Sequence, residues 1–187
     1  MVCLSHFPSA TVYITDISDN SLLEAWRPVN VQIQFKDYAD DKMKYDVIFL
    51  NDVFEHVSDP LLVLKQLSGK LKKNGRILID TPKQFWIYPV TKLFSRTLYT
   101  KVLRGTVSTA HLQIWSKESF KLVVKESNLN ILKYEEKSEY TMPAGFYMRN
   151  MGITNPLMKL IGNMFYRSAK YLAKNKILCV LVPNSES

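Results

Sequence analysis

One stretch, residues 45–82 (YDVIFLNDVFEHVSDPLLVLKQLSGKLKKNGRILIDTP), limits what the chain can fold into more than any other. Its apolar run at 47–50 (VIFL) is too short for a helix and rich in branched and aromatic side chains, which predicts a strand buried on both faces. The run stops on polar residues. Asn51, Asp52, Glu55 and His56 therefore crowd the strand's carboxyl end, where open α/β sheets hold their ligands. A punctuated helix follows, with Asp59 as N-cap, Pro60 as first helical residue, Leu61, Leu64, Leu67 and Leu71 on one face, and Asn74 with Gly75 as the stop. Residues 76–80 (RILID) then predict a second buried strand. Strand, helix and strand in so short a span make a βαβ unit whose strands are expected to be parallel.

The alternation continues on both sides. Residues 11–15 (TVYIT) predict a strand ending at Asp16, and residues 31–35 (VQIQF) one ending near Asp37 and Tyr38. Between them Ser21 and Glu24 have capping-box spacing for a short helix that Pro28 limits. Past Pro82, residues 83–105 mix aromatics with Lys and Arg and read as short helices, broken at Pro89, that cover the sheet's carboxyl edge. His111 leads to Ser116, an N-cap for a helix through about Ser127 with Phe120, Val123 and Val124 inward. Residues 130–135 (NILKYE) and Lys176–Pro183 predict two more strands, the last antiparallel to its parallel neighbours. Between them an insertion at about 136–175 carries a basic amphipathic helix over residues 157–172, suited to act as a lid. The expected fold is a single α/β domain, residues 1–187, with a Rossmann-like, mostly parallel sheet and a late antiparallel strand.

At 187 residues and 47% hydrophobic content the chain can bury the core of one domain. Cys3 and Cys179 sit far apart without metal-ligand spacing, so they read as reduced thiols and no metal site is expected. No run reaches the roughly 18 to 20 apolar residues of a membrane span, and no signal-peptide order opens the chain. A cytoplasmic location is expected, with peripheral membrane association left open. The net charge of +8 is uneven: residues 1–60 hold four Lys/Arg against ten Asp/Glu (−6), and residues 61–187 hold 21 against seven (+14). Two surfaces with different partners follow from that asymmetry. No RRM, KH or helix-turn-helix signature accompanies the basic part, so it carries no specific nucleic-acid reading.

Residues 45–60 (YDVIFLNDVFEHVSDP) with 64–82 (LKQLSGKLKKNGRILIDTP) resemble the fourth and fifth strands of class I S-adenosylmethionine-dependent methyltransferases. Residues 7–18 (FPSATVYITDIS) are similar to the end of that family's first helix and its second strand, and residues 111–132 to a late segment common in its small-molecule members. The resemblance implies S-adenosylmethionine as cofactor. It also implies that Asp16 holds the ribose hydroxyls, that Asp37 and Tyr38 lie beside the adenine, and that Asn51 lies near the methionine end. A carboxylate suits a pair of hydroxyls because it accepts both hydrogen bonds. Methyl transfer from a sulfonium is an in-line displacement that needs orientation and a dry site, plus a base where the acceptor must lose a proton. His111 is the candidate base for an oxygen or nitrogen acceptor and His56 a second; each also has a packing alternative.

The family's glycine-rich turn has no counterpart here: Gly69, Gly75, Gly105, Gly145, Gly152 and Gly162 all lie downstream and form no array. The chain is therefore expected to begin inside the first helix, with the family's first strand and first helix missing, and to bind S-adenosylmethionine weakly. Two classes of function follow. One is a methyltransferase, incomplete and reduced in activity as written, acting on a small or amphiphilic acceptor that is acidic or lipid-linked, with an anionic membrane surface as a possible support. The other is a non-catalytic relative that offers its sheet edge to a second chain.

Overall fold

The computed structural model describes residues 11–14, 31–33, 42–83, 111–139, 142–150 and 152–184. The chain forms two compact units, Met1–Met43 and Lys44–Ser187. In the first, strands β1 (Val12–Ile14) and β2 (Val31–Ile33) pair in parallel, Val12 opposite Val31 and Ile14 opposite Ile33. Both coincide with predicted strands.

The second unit is built on a four-stranded sheet. Its strands are β3 (Tyr45–Asn51), β4 (Leu71–Pro82), β5 (Leu129–Lys137) and β6 (Lys176–Pro183), in the order β3-β4-β6-β5. Strand β3 runs parallel to β4, with Asn51 opposite Asp80, and β6 is antiparallel to both β4 and β5. The result is the mixed, Rossmann-like α/β arrangement expected, late antiparallel strand included. Side chains on β4 and β6 alternate, so Ile77, Ile79, Ile177, Cys179 and Leu181 reach the core. Helices α1 (Pro60–Gly69) and α2 (Lys117–Lys125) contribute Leu64, Leu67, Phe120 and Val124, and Phe54 stacks on Trp115 at 4.9 Å. Burial pushes the Cys179 thiol up to about 12, so it is a packed, unreactive thiol. Cys3 lies outside the described residues.

Two expectations within residues 45–82 are corrected. Strand β3 is not buried on both faces: at the edge of the four-stranded sheet Val47 is 42% exposed and Phe49 57% exposed, on the face opposite the one to which Ile77 and Ile79 turn. The helix also ends earlier than the leucine spacing implies. Asp59 caps α1 as expected, its Oδ1 accepting from the Leu62 amide, but the helix stops at Gly69 and Leu71 opens β4. Gly75 lies inside that strand, at an irregularity where the pairing jumps from Tyr45–Leu71 to Val47–Arg76. A Cβ on Gly75 would sit 2.8 Å from the Tyr45 carbonyl oxygen and 3.0 Å from that of Lys72. Gly75 therefore allows two stretches of backbone to approach, which a helix stop and a strand bulge can both require.

Ser116 and Ser119 close a reciprocal capping box on α2, each side-chain oxygen accepting the other's amide at 3.0 Å. Between β5 and β6 stand α3 (Ala144–Asn150) and α4 (Pro156–Leu172), joined through Gly152 at φ 73°. Asn155 caps α4, its Oδ1 accepting from the Leu157 and Met158 amides. Gly162 packs against Met148 so closely that a Cβ would lie 2.6 Å from the sulfur. The pair leaves the sheet where Lys137 and Lys176 face each other, the end at which β4 finishes. On the apolar face of α4, Leu157, Leu160, Ile161 and Met164 are exposed. No helix among the described residues is long and apolar enough to cross a membrane.

Candidate functional site

The polar residues after β3 are arranged by a sharp change of direction. Asp52, at φ 49°, takes a left-handed backbone conformation that short polar side chains tolerate, and its amide donates to the Asp80 carbonyl at 2.9 Å. This holds the carboxyl ends of the two parallel strands together. Lys176, the first residue of β6, places Nζ 3.1 Å from Asp52 Oδ1 and 3.1 Å from Asp80 Oδ1. Burial alone would lower the Lys176 pKa, but hydrogen bonds to the two carboxylates outweigh it and hold the ammonium above its ordinary value. Asn51 ends β3 with its side chain exposed at this rim.

Behind the rim lies Glu55, 1% exposed. Its Oε2 accepts a hydrogen bond from Thr81 Oγ1 at 2.9 Å, and Thr81 is itself buried near the end of β4. Its backbone carbonyl accepts the amides of Leu112 and Gln113 at 2.9 and 3.0 Å, which brings the segment before α2 against the turn after β3. Gln113 Nε2 also donates to the Val57 carbonyl at 3.3 Å. His56 and His111, far apart in sequence, thereby meet edge to face with ring centres 4.8 Å apart. Glu55 Oε1 lies 3.8 Å from His56 Nε2 and 3.9 Å from His111 Nε2.

Burial raises the Glu55 pKa above the ordinary carboxylate value, opposed by a backbone hydrogen bond and Thr81. Burial also lowers the His111 pKa, with the neighbouring His56 adding to the effect. A mostly buried imidazole, a more exposed one and a buried carboxyl thus converge at the carboxyl end of a parallel strand pair.

Of the residues singled out in sequence, the fold brings His56 and His111 together and leaves Asn51 exposed at the end of β3; Asp16, Asp37 and Tyr38 lie outside the described residues. Glu55 is the residue that sequence reasoning undervalued. Its burial shows only in the fold, where the turn after β3 packs both Phe54 and Glu55 inward.

These polar residues lie at the carboxyl ends of parallel strands, the place where open α/β sheets bind their ligands. The methyltransferase domain family matches residues 3–134. The chain belongs to the class I S-adenosylmethionine-dependent methyltransferase family. It is 35% identical over 89 residues to a malonyl-[acyl-carrier protein] O-methyltransferase of Halalkalibacterium halodurans, a match covering 42% of this chain and 33% of that protein. The chain thus spans about a third of that relative's length. Coclaurine N-methyltransferase bound to N-methylheliamine and SAH superposes with TM-score 0.61 at 13% identity, covering 97% of this chain and 63% of that one. A Haloferax volcanii methyltransferase in complex with a methyltransferase activator superposes with TM-score 0.62 at 11% identity, covering 97% and 76%. At these identities the likeness to the solved structures is one of fold.

Proposed function

We propose that the chain carries the acceptor side of an S-adenosylmethionine-dependent methyl-transfer site for a small or amphiphilic acceptor. The observation that supports this most is the convergence of Glu55, His56 and His111 beside Asn51 at the strand ends. S-adenosylmethionine, when bound, supplies the electrophilic methyl group. The exposed Asn51 amide suits its methionine end, and Asp16, Asp37 and Tyr38 are the proposed holders of ribose and adenine. The His56–His111 pair then stands where an acceptor's oxygen or nitrogen would be oriented and relieved of a proton. The proposed lid over that acceptor is the α3–α4 pair, which leaves the sheet beside Lys176 and whose exposed apolar and basic surface suits an amphiphilic or membrane-held acceptor.

The test is transfer of a labelled methyl group from S-adenosylmethionine to a panel of acidic and lipid-linked acceptors. His111→Ala is expected to lower kcat about 10² to 10⁴-fold if the pair handles the acceptor's proton. Transfer unchanged in His111→Ala would overturn the assignment.

The exposed Val47 and Phe49 on edge strand β3 support a second reading, in which this edge pairs with another chain and the complex is the active form. Light scattering decides it: a monomer at all concentrations, alone and active, rejects the partner.

A further inference from the structure

We infer that Glu55, His56 and His111 form a binding site for one borderline divalent metal ion of the zinc or cobalt kind. The carboxylate and imidazole atoms of the three residues lie within 4.8 Å of one another, and the Glu55 Oε1 to Nε2 separations are 3.8 and 3.9 Å. These distances are too long for hydrogen bonds. They are close to the spacing of metal ligands: with Zn–N and Zn–O lengths of about 2.0 to 2.2 Å, tetrahedral neighbours stand about 3.3 to 3.5 Å apart. Closing the site takes a contraction of about half an ångström between the carboxylate and each imidazole and of up to about 1.4 Å between the two imidazole nitrogens, which side-chain rotations supply.

The surroundings fit a ligand set rather than a chance meeting. Glu55 is 1% exposed, and among the described residues no lysine or arginine pairs with it. A buried carboxylate is costly until a proton or a cation neutralises it. Thr81 fixes the oxygen that faces away from the imidazoles, as outer hydrogen bonds typically orient metal-binding carboxylates. The Leu112 and Gln113 amides, bonded to the Glu55 carbonyl, fix the segment that carries His111. Two imidazoles and one carboxylate favour zinc and cobalt over manganese, magnesium and calcium, which prefer oxygen. Three protein ligands leave a position open, and the His56 side chain, 40% exposed, gives solvent access to it.

Binding of the ion is independent of the cofactor; only its consequence for catalysis rests on the proposed function. With the ion bound the two imidazoles are its ligands, and the ion takes over their proposed part in proton removal. An acceptor hydroxyl reaching the open position would lose its proton to solvent, and the oxygen's electron pair would attack the methyl group as the bond from methyl to the sulfonium sulfur breaks and leaves its pair on sulfur.

The experiment adds Co²⁺ to the chelator-treated chain and follows visible absorption, with bound metal counted by elemental analysis. One ion per chain and ligand-field bands of low coordination number are expected, displaced by Zn²⁺ and unaffected by millimolar Mg²⁺. Glu55→Gln, which keeps the Thr81 contact possible, and His111→Ala should each weaken binding about 100-fold or more. Lys72→Ala, at the surface Lys72–Asp46 pair, should leave binding unchanged. Circular dichroism establishes that each variant is folded. Absence of stoichiometric Co²⁺ binding by folded wild-type chain, or binding that survives both ligand substitutions, overturns the proposal. No S-adenosylmethionine is present, so failure here and failure of methyl transfer are distinguishable.

Discussion

At the scale of single residues, Glu55 decides most. A carboxyl that is 1% exposed must be served by its neighbours, and among the described residues Thr81 is the hydroxyl that donates to it. Thr81→Val keeps the shape and removes the donor. It is expected to lower the unfolding free energy by about 1 to 3 kcal/mol, seen as an earlier urea midpoint at unchanged slope. An unchanged midpoint would mean that the carboxyl finds another donor. Sequence alone could not rank Glu55 above its neighbours. Asn51, Asp52, Glu55 and His56 form one polar run, and periodicity does not tell which side chain of an irregular turn faces inward. His111 was legible as a candidate because it precedes a well-capped helix, yet its meeting with His56 depends on the Leu112 and Gln113 amides finding the Glu55 carbonyl. That contact is tertiary and leaves no mark in local spacing.

At the scale of elements, strand positions were the most readable feature, because branched apolar runs between polar stops have few alternatives. Strand β6 coincides with its predicted bounds, and α1 and α2 begin at the caps read from Asp59 and Ser116. The end of α1 was misread because Leu71 continues the helical spacing while also serving as the buried first residue of β4. Two glycines separate the readings. Gly75→Ala forces a Cβ to 2.8 Å from the Tyr45 oxygen and should destabilise by about 1 to 3 kcal/mol. Gly69→Ala, at the end of α1 with open space around it, should be neutral or stabilising by up to about 1 kcal/mol. Equal thermal midpoints for the two variants would contradict the bulge. A second element-scale device is Lys83, which follows β4 and donates to Glu136 Oε2 on β5 at 2.6 Å. Burial pushes the Glu136 pKa up, but hydrogen bonds from Lys83 and Tyr134 outweigh it and hold the carboxyl below its ordinary value. A lowered folded pKa gives stability that is present above the unfolded value of about 4.3 and lost as pH falls through the folded one. Lys83→Met should therefore lower stability at pH 7, and the gap from wild type should shrink as pH falls below about 4. A gap constant with pH would assign the effect to packing.

At the scale of the whole molecule, charge and the helical insertion belong to one argument. Residues 61–187 hold 21 Lys/Arg against seven Asp/Glu, and α4 combines part of that excess with an apolar face. Core packing would have buried that face. Instead Leu157 and Met164 are each 64% exposed, and Leu160 and Ile161 are uncovered beside them, with Lys159 and Arg167 exposed on the same helix. The amphipathic period was legible in the sequence; what covers it was not, because the same period serves a core helix, a lid and an interfacial helix. An apolar stripe bordered by cations suits the surface of an anionic bilayer, where hydrophobic insertion and charge attraction act together. The chain is therefore expected to co-sediment with vesicles containing phosphatidylserine and not with neutral ones. Binding should weaken several-fold at about 0.5 M salt, since screening then acts over a few ångströms. Leu160→Asp with Met164→Asp removes the apolar half while leaving every lysine and arginine in place. If that double variant still sediments as well as wild type, insertion of α4 is not the cause; if neither sediments at low salt, the membrane reading fails and the helix pair is left to act on the acceptor alone.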